Sequence, residues 1–377
     1  MVSSNANALG VIFANSYDNL VPELVAERTM ASIPFAGRYR MIDFTLSNMV
    51  NSGITNVGVL AKQHYHSLMT HLGNTQEWDL NRKNGGLQIL PPYASESLNQ
   101  ANRGKLDELR NALDFLREDT SPYVVMADAH VICNMDFRPV VESHINSGCD
   151  ITVVATQSKM SNSNTYKSVI QVDGNMRVTS YALDHVPQPG DYCGMSIMVM
   201  DRQVLIDTVS EFTARGVYFL ERDFIQSRFN TGDLSINIYP FTDPVLRVND
   251  IESYFSSNMA LLDEGISNAL FRPDRPIYTR VNDEVPSHYG MDCNISGCII
   301  ADGCILDGNA EHSVIGRGVR IAKGATVKNC IIMQGSVIGE GASLENVIVD
   351  KWATITAGSQ LKGLETAPVI IRKGVTV

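Results

Sequence analysis

The stretch IGRGVRIAKGATVKNCII, residues 315–332, contains one full turn of a repeat that runs through the last quarter of the chain. Aliphatic side chains recur in it at steps of six, six and five residues: Ile315, Ile321, Val327 and Ile332. Each step fits one short strand and a turn, and Gly318 and Gly324 supply the backbone freedom that tight corners require. The spacing therefore predicts a triangular parallel β-helix with 17-residue coils.

The same spacing extends from Cys298 to Leu361. We therefore expect residues 287–377 to form a left-handed β-helix of the hexapeptide type, preceded by a proline-containing linker at 261–286. One coil of such a solenoid cannot bury its apolar face alone, and the ends of the solenoid need capping or docking. A role in protein assembly is therefore natural for this part of the chain.

Strand and helix patterns alternate in residues 1–260 instead. Apolar runs of strand length and segments with helical spacing follow one another at residues 9–14, 42–52, 56–61, 106–116, 123–127, 137–146 and 151–156. A further helix is expected near residues 251–264. This alternation predicts an α/β domain with a mostly parallel, Rossmann-like sheet.

Composition restricts the classes of partner. The chain has 377 residues, with 30 Lys and Arg against 41 Asp and Glu, and no basic run, which argues against nucleic acid or an anionic membrane as a partner. Its apolar runs are far shorter than the ~20 residues of a membrane span, and the start of the chain has no secretory pattern, so we expect a cytoplasmic protein. Seven cysteines without a C-x-x-C spacing predict reduced thiols.

The segment FAGRYRMIDFTLSN at residues 35–48, followed by NSGI at 51–54, resembles the bacterial ADP-glucose pyrophosphorylase (glucose-1-phosphate adenylyltransferase) family. The resemblance covers essentially the whole chain and implies a GT-A-like nucleotidyltransferase domain before the β-helix. It also implies the family's reaction, in which ATP and glucose 1-phosphate form ADP-glucose and pyrophosphate with Mg²⁺ for glycogen or starch synthesis. Enzymes of this family are tetramers that phosphorylated metabolites regulate.

Positions that the resemblance assigns to nucleotide phosphates have changed in this chain. The family's G-G-x-G-T-x-L loop, whose backbone amides wrap phosphates, reads ANSYDNL at residues 14–20, so that Asn15 replaces a glycine. The lysine of the family's R-A-K-P-A segment is Met30 here, and a thioether cannot balance the charge of a phosphate. The R-G-T-A-D-A segment survives only as RGKLDE at residues 103–108.

The metal and sugar positions of the family have changed as well. Its two Mg²⁺ carboxylates align with His130 and Arg247, and the Glu-Lys pair of its sugar-binding segment aligns with Leu183 and Asp184. Nucleotidyl transfer depends on positioning and on neutralising phosphate charge. We therefore expect no catalytic residues in this chain, and a rate at least roughly 10⁴-fold below that of a working relative.

Two residues leave other interpretations open. Asp128 precedes His130 by two positions and would share its side of a continuing strand, which makes it a weak candidate ligand for a displaced metal. Arg247 could instead supply a fixed positive charge where Mg²⁺ would bind, and so hold a phosphate without turnover.

Basic residues near the family segment form a second candidate site. Arg28 and Arg40 fall on basic positions that the resemblance assigns to an allosteric anion site, and Arg38 lies between them. Arg372 and Lys373 could join that site. The alternative is that these side chains are solvated at the surface.

The departures resemble the GlgD-type subunits of the family, which keep the fold without the active site. We therefore expect a regulatory subunit that pairs with a catalytic paralogue in a heterotetramer, responds to a phosphorylated effector and leaves Mg²⁺ to its partner. No cofactor is expected for the chain alone, which could also form homo-oligomers. The alternatives are an active nucleotidyltransferase that uses Asp128, and a stand-alone sensor of sugar phosphates or nucleotides.

Overall fold

The computed structural model describes residues 5–92, 104–158 and 166–377, which form two compact units. The first unit consists of Met1–Ser16, Thr45–Tyr65 and Gly73–Asp243, and the second of Tyr17–Phe44, His66–Leu72 and Pro244–Val377. Each unit is therefore assembled from segments that are distant in the sequence. Among the described residues, no helix is both long enough and apolar enough to cross a bilayer.

The first unit is built around a sheet in which nine strands lie within the described residues. The fully buried strand Ala8–Phe13 lies between Asn56–Leu60 and Tyr123–Asp128 and is parallel to both. Gly86–Leu90 extends the parallel part, whereas Tyr192–Asp201 runs antiparallel to Tyr123–Asp128. The other four strands are Ile151–Gln157, Tyr166–Val172, Val178–His185 and Ile236–Pro240.

Helices flank this sheet and bury their apolar sides. They are Met41–Asn51, which begins in the second unit, then Lys105–Arg110, Leu113–Glu118, Arg138–Ser147, Arg202–Ala214, the π-helical Leu220–Gln226 and Ser227–Thr231, with a 3₁₀ turn at Gln76–Trp78. Arg138–Ser147 ends at Gly148, whose left-handed backbone (φ 62°) suits a glycine after a helix. A short strand, Val131–Ile132, follows the strand Tyr123–Asp128 in the chain.

The second unit contains the β-helix, in which three parallel sheets of five strands each are described. The first sheet contains His288–Tyr289, Ile305–Leu306, Arg320–Ile321, Val337–Ile338 and Thr354–Ile355. The second contains Ile295–Ser296, Asn309–Glu311, Thr326–Lys328, Ser343–Glu345 and Gln360–Lys362. The third contains Ile299–Ile300, Val314–Ile315, Ile331–Ile332, Val347–Val349 and Val369–Ile371.

The prediction of an α/β domain followed by a β-helix is confirmed, with one change of register. Ile315, Ile332 and Val349 face each other at 17-residue intervals and are buried, as the spacing predicts. In the preceding coil, however, Ile300 rather than Cys298 lies opposite Ile315, because that coil is two residues shorter. The backbone bond from His312 N–H to the Ser296 carbonyl belongs to this shorter coil.

Smaller elements complete the second unit. They are Asp18–Leu20, Pro22–Val25, Met30–Ser32, Pro34–Phe35, Tyr39–Arg40, His66–Leu72, Leu246–Arg247, Ile251–Ala260 and Glu264–Leu270. The strand Pro34–Phe35 pairs with Tyr39–Arg40 in a hairpin. Tyr254 donates a hydrogen bond to the Pro34 carbonyl (2.7 Å), and the Asn258 side chain accepts one from Ala36 N–H (3.0 Å). These buried bonds fix the hairpin that carries the basic residues of the family-like segment.

Candidate functional site

The carboxyl edge of the parallel strands is where open α/β sheets bind ligands. Asp128 ends the strand Tyr123–Asp128 at this edge and is fully buried. The ammonium group of Lys105 lies 2.9 Å from Asp128 Oδ2 and 2.7 Å from Glu221 Oε1. It also lies 4.8 Å from the ring centroid of Phe13, over the aromatic face. Lys105 thus supplies positive charge to two buried carboxylates of the first unit.

A second ion pair lies on the same helix as Lys105. Lys62 Nζ is 2.8 Å from Glu108 Oε1, and Glu108 is buried. Burial raises the pKa of Glu108 to about 7, although Lys62 opposes that shift. Burial would lower the pKa of Lys105, but the carboxylates of Asp128 and Glu221 outweigh it and raise that pKa. Lys105 therefore stays charged across the physiological pH range.

The residues predicted to replace phosphate and metal ligands occupy different surroundings. Asn15 follows the first strand, accepts a hydrogen bond from Lys62 N–H (2.8 Å) and donates one to the Gln63 carbonyl (3.3 Å). His130 is buried, with Nδ1 3.9 Å from Asp128 Oδ2. Both side chains are buried within the first unit. The two hydrogen bonds of Asn15 join the end of the first strand to the loop that contains Lys62 and Gln63.

Other predicted positions lie elsewhere. Met30 is buried in the second unit, where its N–H donates to Asp18 Oδ1 (2.9 Å). Arg247 also belongs to the second unit, and its carbonyl lies 3.5 Å from Ser257 Oγ. Leu183 packs against the core of the first unit, and Asp184 is exposed with a left-handed backbone (φ 50°). Arg103, the first residue of the RGKLDE segment, lies outside the described residues.

Mg²⁺ does not fit the donors at this edge. It requires near-octahedral oxygen ligands at about 2.1 Å, usually including carboxylates that are not otherwise neutralised. Here Asp128 and Glu221 are both bonded to Lys105, and His130 offers nitrogen. In the part of the chain that the structure describes, no group of three or more His, Cys, Asp or Glu residues is arranged to hold a metal. The lysine takes the place of an external cation as the counter-charge.

A cavity of about 560 Å³ lies within the second unit, and we call it the cationic pocket. Its lining includes basic side chains from three separate parts of that unit: Arg28, Arg38, Arg40, Arg280, Arg317, Lys351 and Lys373. Glu27, Gln334 and Trp352 also line it, as do His66 and His71. A chain with a net charge of −11 therefore concentrates positive charge in one concave site.

Some of these cations are neutralised by carboxylates of the same unit. Arg28 is almost fully buried, and its Nη2 bonds both oxygens of Asp350 at 2.8 and 2.7 Å. Arg317 Nε lies 3.2 Å from Asp302 Oδ1. Lys373 forms a salt bridge with Glu27 at the surface. These three pairs shape the walls of the pocket.

Four pocket cations have no carboxylate in ion-pair contact among the described residues: Arg38, Arg40, Arg280 and Lys351. Arg40 donates to the Ser67 carbonyl (2.7 Å) and hydroxyl (2.9 Å), and burial lowers its pKa to about 10. Arg38 lies 5.5 Å from the centroid of the Tyr39 ring. Burial, together with Arg40 and Arg28, lowers the pKa of Lys351 to about 6. The three arginines give the pocket positive charge, and an anionic ligand would supply a counter-charge to them and favour the protonated form of Lys351.

Asp43 anchors the floor of the pocket. Its Oδ1 is 2.6 Å from His71 Nε2, while its Oδ2 accepts bonds from the Thr279 hydroxyl (2.6 Å) and from Arg40 N–H (2.9 Å). Burial lowers the pKa of His71, although Asp43 opposes that shift. The carboxylate therefore has a positioning role, since its contacts with His71 and Thr279 join three separate segments of the second unit.

The structure brings together four of the five basic residues that the sequence singled out. Arg28, Arg38, Arg40 and Lys373 line the cationic pocket, whereas Arg372 is exposed and does not. Sequence reasoning singled out Lys373 but missed the column to which it belongs. That column lies on one corner of the β-helix and is formed by register-equivalent residues of successive coils: Asp302, Arg317, Gln334, Lys351 and Lys373. Aligning the coils would have revealed it, because each of these residues directly precedes a left-handed corner position.

Comparison with known proteins matches two successive parts of the chain to family models. A nucleotidyl transferase family model matches residues 21–234, and a model of the GlmU-like C-terminal hexapeptide matches residues 284–366. "Glycogen biosynthesis protein GlgD" of Geobacillus stearothermophilus is 37% identical over 373 residues, which are 98% of this chain and 97% of the relative. The protein of that name from Bacillus subtilis (strain 168) is 33% identical over 372 residues, 98% of this chain and 97% of the relative. A glucose-1-phosphate adenylyltransferase of Fervidobacterium nodosum is 28% identical over 331 residues, 87% of this chain and 79% of the relative.

Proposed function

Since the chain belongs to the family of GlgD glycogen biosynthesis proteins and glucose-1-phosphate adenylyltransferases, we propose that it acts in glycogen biosynthesis as a regulatory subunit without significant catalysis. In this proposal it joins a catalytic paralogue in a heterotetramer and changes that paralogue's activity and its response to a phosphorylated effector. The paralogue carries Mg²⁺ and converts ATP and glucose 1-phosphate into ADP-glucose and pyrophosphate.

The pairing of Lys105 with Asp128 and Glu221 is the observation that carries the proposal. A nucleotidyltransferase needs carboxylates that can accept Mg²⁺ and cations that can meet phosphates. In this chain the two kinds of group neutralise each other at the edge where the reaction would occur. The alternative of an active enzyme that uses Asp128 would require this buried pairing to break, at a cost of several kcal/mol.

The cationic pocket supports the regulatory half of the proposal. It contains three arginines and Lys351 that have no carboxylate in ion-pair contact within the described part of the chain, although the chain as a whole is acidic. An effector anion bound there would alter the partner's activity only if it distinguished the active from the inactive assembly. Coupling energies of about 1–3 kcal/mol are typical, so effector affinity would differ about 5- to 150-fold between those states.

The test is an assay of ADP-glucose formation by the chain alone, by a catalytic paralogue alone, and by the two co-expressed and co-purified. We expect no Mg²⁺-dependent turnover from the chain alone, and altered kcat, KM or effector response in the pair. Turnover by the chain alone that Asp128→Asn abolishes would support the active-enzyme alternative instead. A chain that binds phosphorylated ligands yet never co-purifies with the paralogue would be a stand-alone sensor.

A further inference from the structure

Lys351 lines the cationic pocket, and its side-chain amine has no bonding partner in the described part of the chain. Its backbone N–H donates to Asp350 Oδ1 (2.6 Å), whereas Nζ makes neither a hydrogen bond nor an ion pair with a described residue. Asp350 does not pair with this amine, because both of its oxygens bond Arg28. The amine of Lys351 is therefore held in a cavity without a contact that would block its nitrogen.

The charges around this amine are mostly positive. Basic groups from separate segments of the second unit lie near it: Arg28, Arg40, His71 and Lys373. Burial and the charges of Arg40, Arg28 and Lys373 lower the pKa of Lys351 to about 6, and Asp350 opposes that shift only in part. At pH 7.5 the nitrogen therefore keeps the lone pair that a nucleophile needs.

The arginines of the pocket have donors that no carboxylate of the described residues uses. Arg40 bonds the Ser67 carbonyl and hydroxyl through Nη1, whereas its Nη2 and Nε bond no described residue. Arg38 and Arg280 line the same cavity. A negatively charged group at the end of the Lys351 side chain would accept charge-assisted hydrogen bonds from such donors.

We propose that Lys351 is a site of reversible carbamate formation with carbon dioxide. The neutral Nζ forms a bond to the carbon of CO₂, one C=O bond gives its π electrons to oxygen, and the nitrogen releases a proton to water. One amine and one CO₂ thus give R–NH–COO⁻ and H⁺, without an oxidant or a reductant. The inference goes beyond the proposed regulatory role and does not depend on it, because the reaction needs the chain alone.

The surrounding charge favours this product over the others that a neutral lysine can form. A Schiff base with a simple aldehyde is neutral or cationic, and an acyl group leaves a neutral amide. Neither product supplies a counter-charge to Arg38 and Arg40, whereas a carbamate does. CO₂ is also small compared with the cavity of about 560 Å³.

Carbon-13 NMR of the full chain with labelled CO₂ and bicarbonate detects the carbamate directly. We expect a carbamate resonance at pH 8 that is lost in Lys351→Met and retained in Lys323→Met, which removes a lysine at the exposed surface. Thermal unfolding curves show whether both variants are folded.

The pH dependence of the resonance identifies the kind of amine. At constant dissolved CO₂, the ratio of carbamate to unmodified amine at Lys351 should rise about ten-fold per pH unit above pH 7, because one proton is released. An ordinary lysine, with a pKa of about 10.4, loses two protons in the same reaction and would show a rise of about a hundred-fold per unit.

Sulfate tests the place of the carbamate without any substitution. It competes for the pocket arginines and favours the ammonium form of Lys351, so saturating sulfate should remove most of the resonance in the wild type. Sodium chloride at the same ionic strength should leave it in place.

Three results would overturn the inference: no carbamate resonance between pH 7 and pH 8.5, a resonance that Lys351→Met leaves at full intensity, or one that sulfate does not reduce. Each of them leaves the regulatory proposal standing, because that proposal is tested separately by ADP-glucose formation in the co-purified pair.

Discussion

Lys351 has an unusual balance of charges around it. Burial disfavours its proton, as do Arg40, Arg28 and Lys373, and Asp350 only partly compensates, so that the pKa of Lys351 falls to about 6 when the pocket holds no anion. At pH 7.5 the amine is then mostly neutral in the folded chain. An anion beside it favours the ammonium form, so binding takes up a proton. We therefore expect anion affinity to rise as the pH falls from 8.5 towards 6 and to level off below 6.

Sulfate is a suitable probe because its charge does not change over this range. The measurement is calorimetric titration with sulfate at constant ionic strength and several pH values, in buffers of different ionisation enthalpy. Lys351→Met should weaken binding at pH 6 and remove most of the pH dependence. A wild-type affinity that is flat between pH 6 and pH 8.5 would contradict the prediction. Above pH 6 the Lys351 amine binds a proton more readily in the unfolded chain than in the folded chain. The free energy of unfolding should therefore rise with pH in that range.

Lys105 joins two buried carboxylates at the carboxyl edge of the parallel strands. Replacing it with methionine leaves Asp128 and Glu221 buried without their cation, which costs about 3–5 kcal/mol in comparable buried pairs. The free energy of unfolding from denaturant titration should fall by that amount. Lys323→Met is a matched control, because Lys323 pairs with Asp292 at the exposed surface and such pairs contribute about 0–1 kcal/mol. Equal effects of the two substitutions would show that Lys105 is not a buried counter-charge.

Individual residues differ in how far the sequence predicts their roles. The motif alignment identified Met30 and His130 as replacements, because the segments around them have a fixed spacing. It did not indicate that Lys105 would bond Asp128 and Glu221, since those contacts depend on how two helices pack beside the sheet. The sequence offers only the charge of Arg372 as a reason to place it in the anion site, and nothing in the sequence shows that its side chain lies outside the cationic pocket.

At the scale of elements, the β-helix is sensitive to the space between coils. A Cβ atom at Gly339 would lie 2.6–2.8 Å from backbone atoms of the next coil, whereas Gly341 has nothing within 4 Å. Gly339→Ala should therefore destabilise the second unit by about 1–3 kcal/mol, as other overpacked sites do. Gly341→Asn should cost less than about 1 kcal/mol, because asparagine accepts its left-handed backbone.

Thermal unfolding of the two variants measures the difference. A shift of about 2–4 °C per kcal/mol is expected for a unit of this size. If Gly341→Asn lowers the midpoint more than Gly339→Ala does, then coil spacing is not what limits the second unit.

Elements were predicted best where a single period dominates. The burial of Ile321, Val327 and Ile338 follows directly from the coil spacing. The segment 106–116 was expected to be one helix and is two, Lys105–Arg110 and Leu113–Glu118. Local capping explains a similar break after residue 260, where the Asp263 side chain accepts a bond from Ile266 N–H and starts a new helix. Hydrophobic spacing does not reveal the break between Lys105–Arg110 and Leu113–Glu118, because the apolar side chains of both helices pack into the same core cluster.

At the scale of the whole molecule, regulation and association should be separable. In a complex with the catalytic paralogue, Arg38→Ala combined with Lys351→Met removes two basic side chains from the lining of the cationic pocket. We expect this double variant to co-purify with the paralogue as the wild type does and to lose at least about five-fold in effector sensitivity. The measurement is the effector concentration for half-maximal change in ADP-glucose formation. An unchanged value in a fully assembled complex would exclude the cationic pocket as the effector site.

The interleaving of the two units also has a consequence for the time course of synthesis. Arg28 and Asp350 form one buried pair, yet they are 322 positions apart in the chain. At about 5–20 residues per second, Arg28 is synthesised roughly 15–65 s before Asp350. The β-helix begins only at His288–Tyr289, so for most of that interval the segment Tyr17–Phe44 lacks the coils of its own unit. The cationic pocket is therefore completed late in translation, and a premature stop before residue 350 removes Lys351, Trp352 and Lys373 from its lining even when the sheet of the first unit is complete.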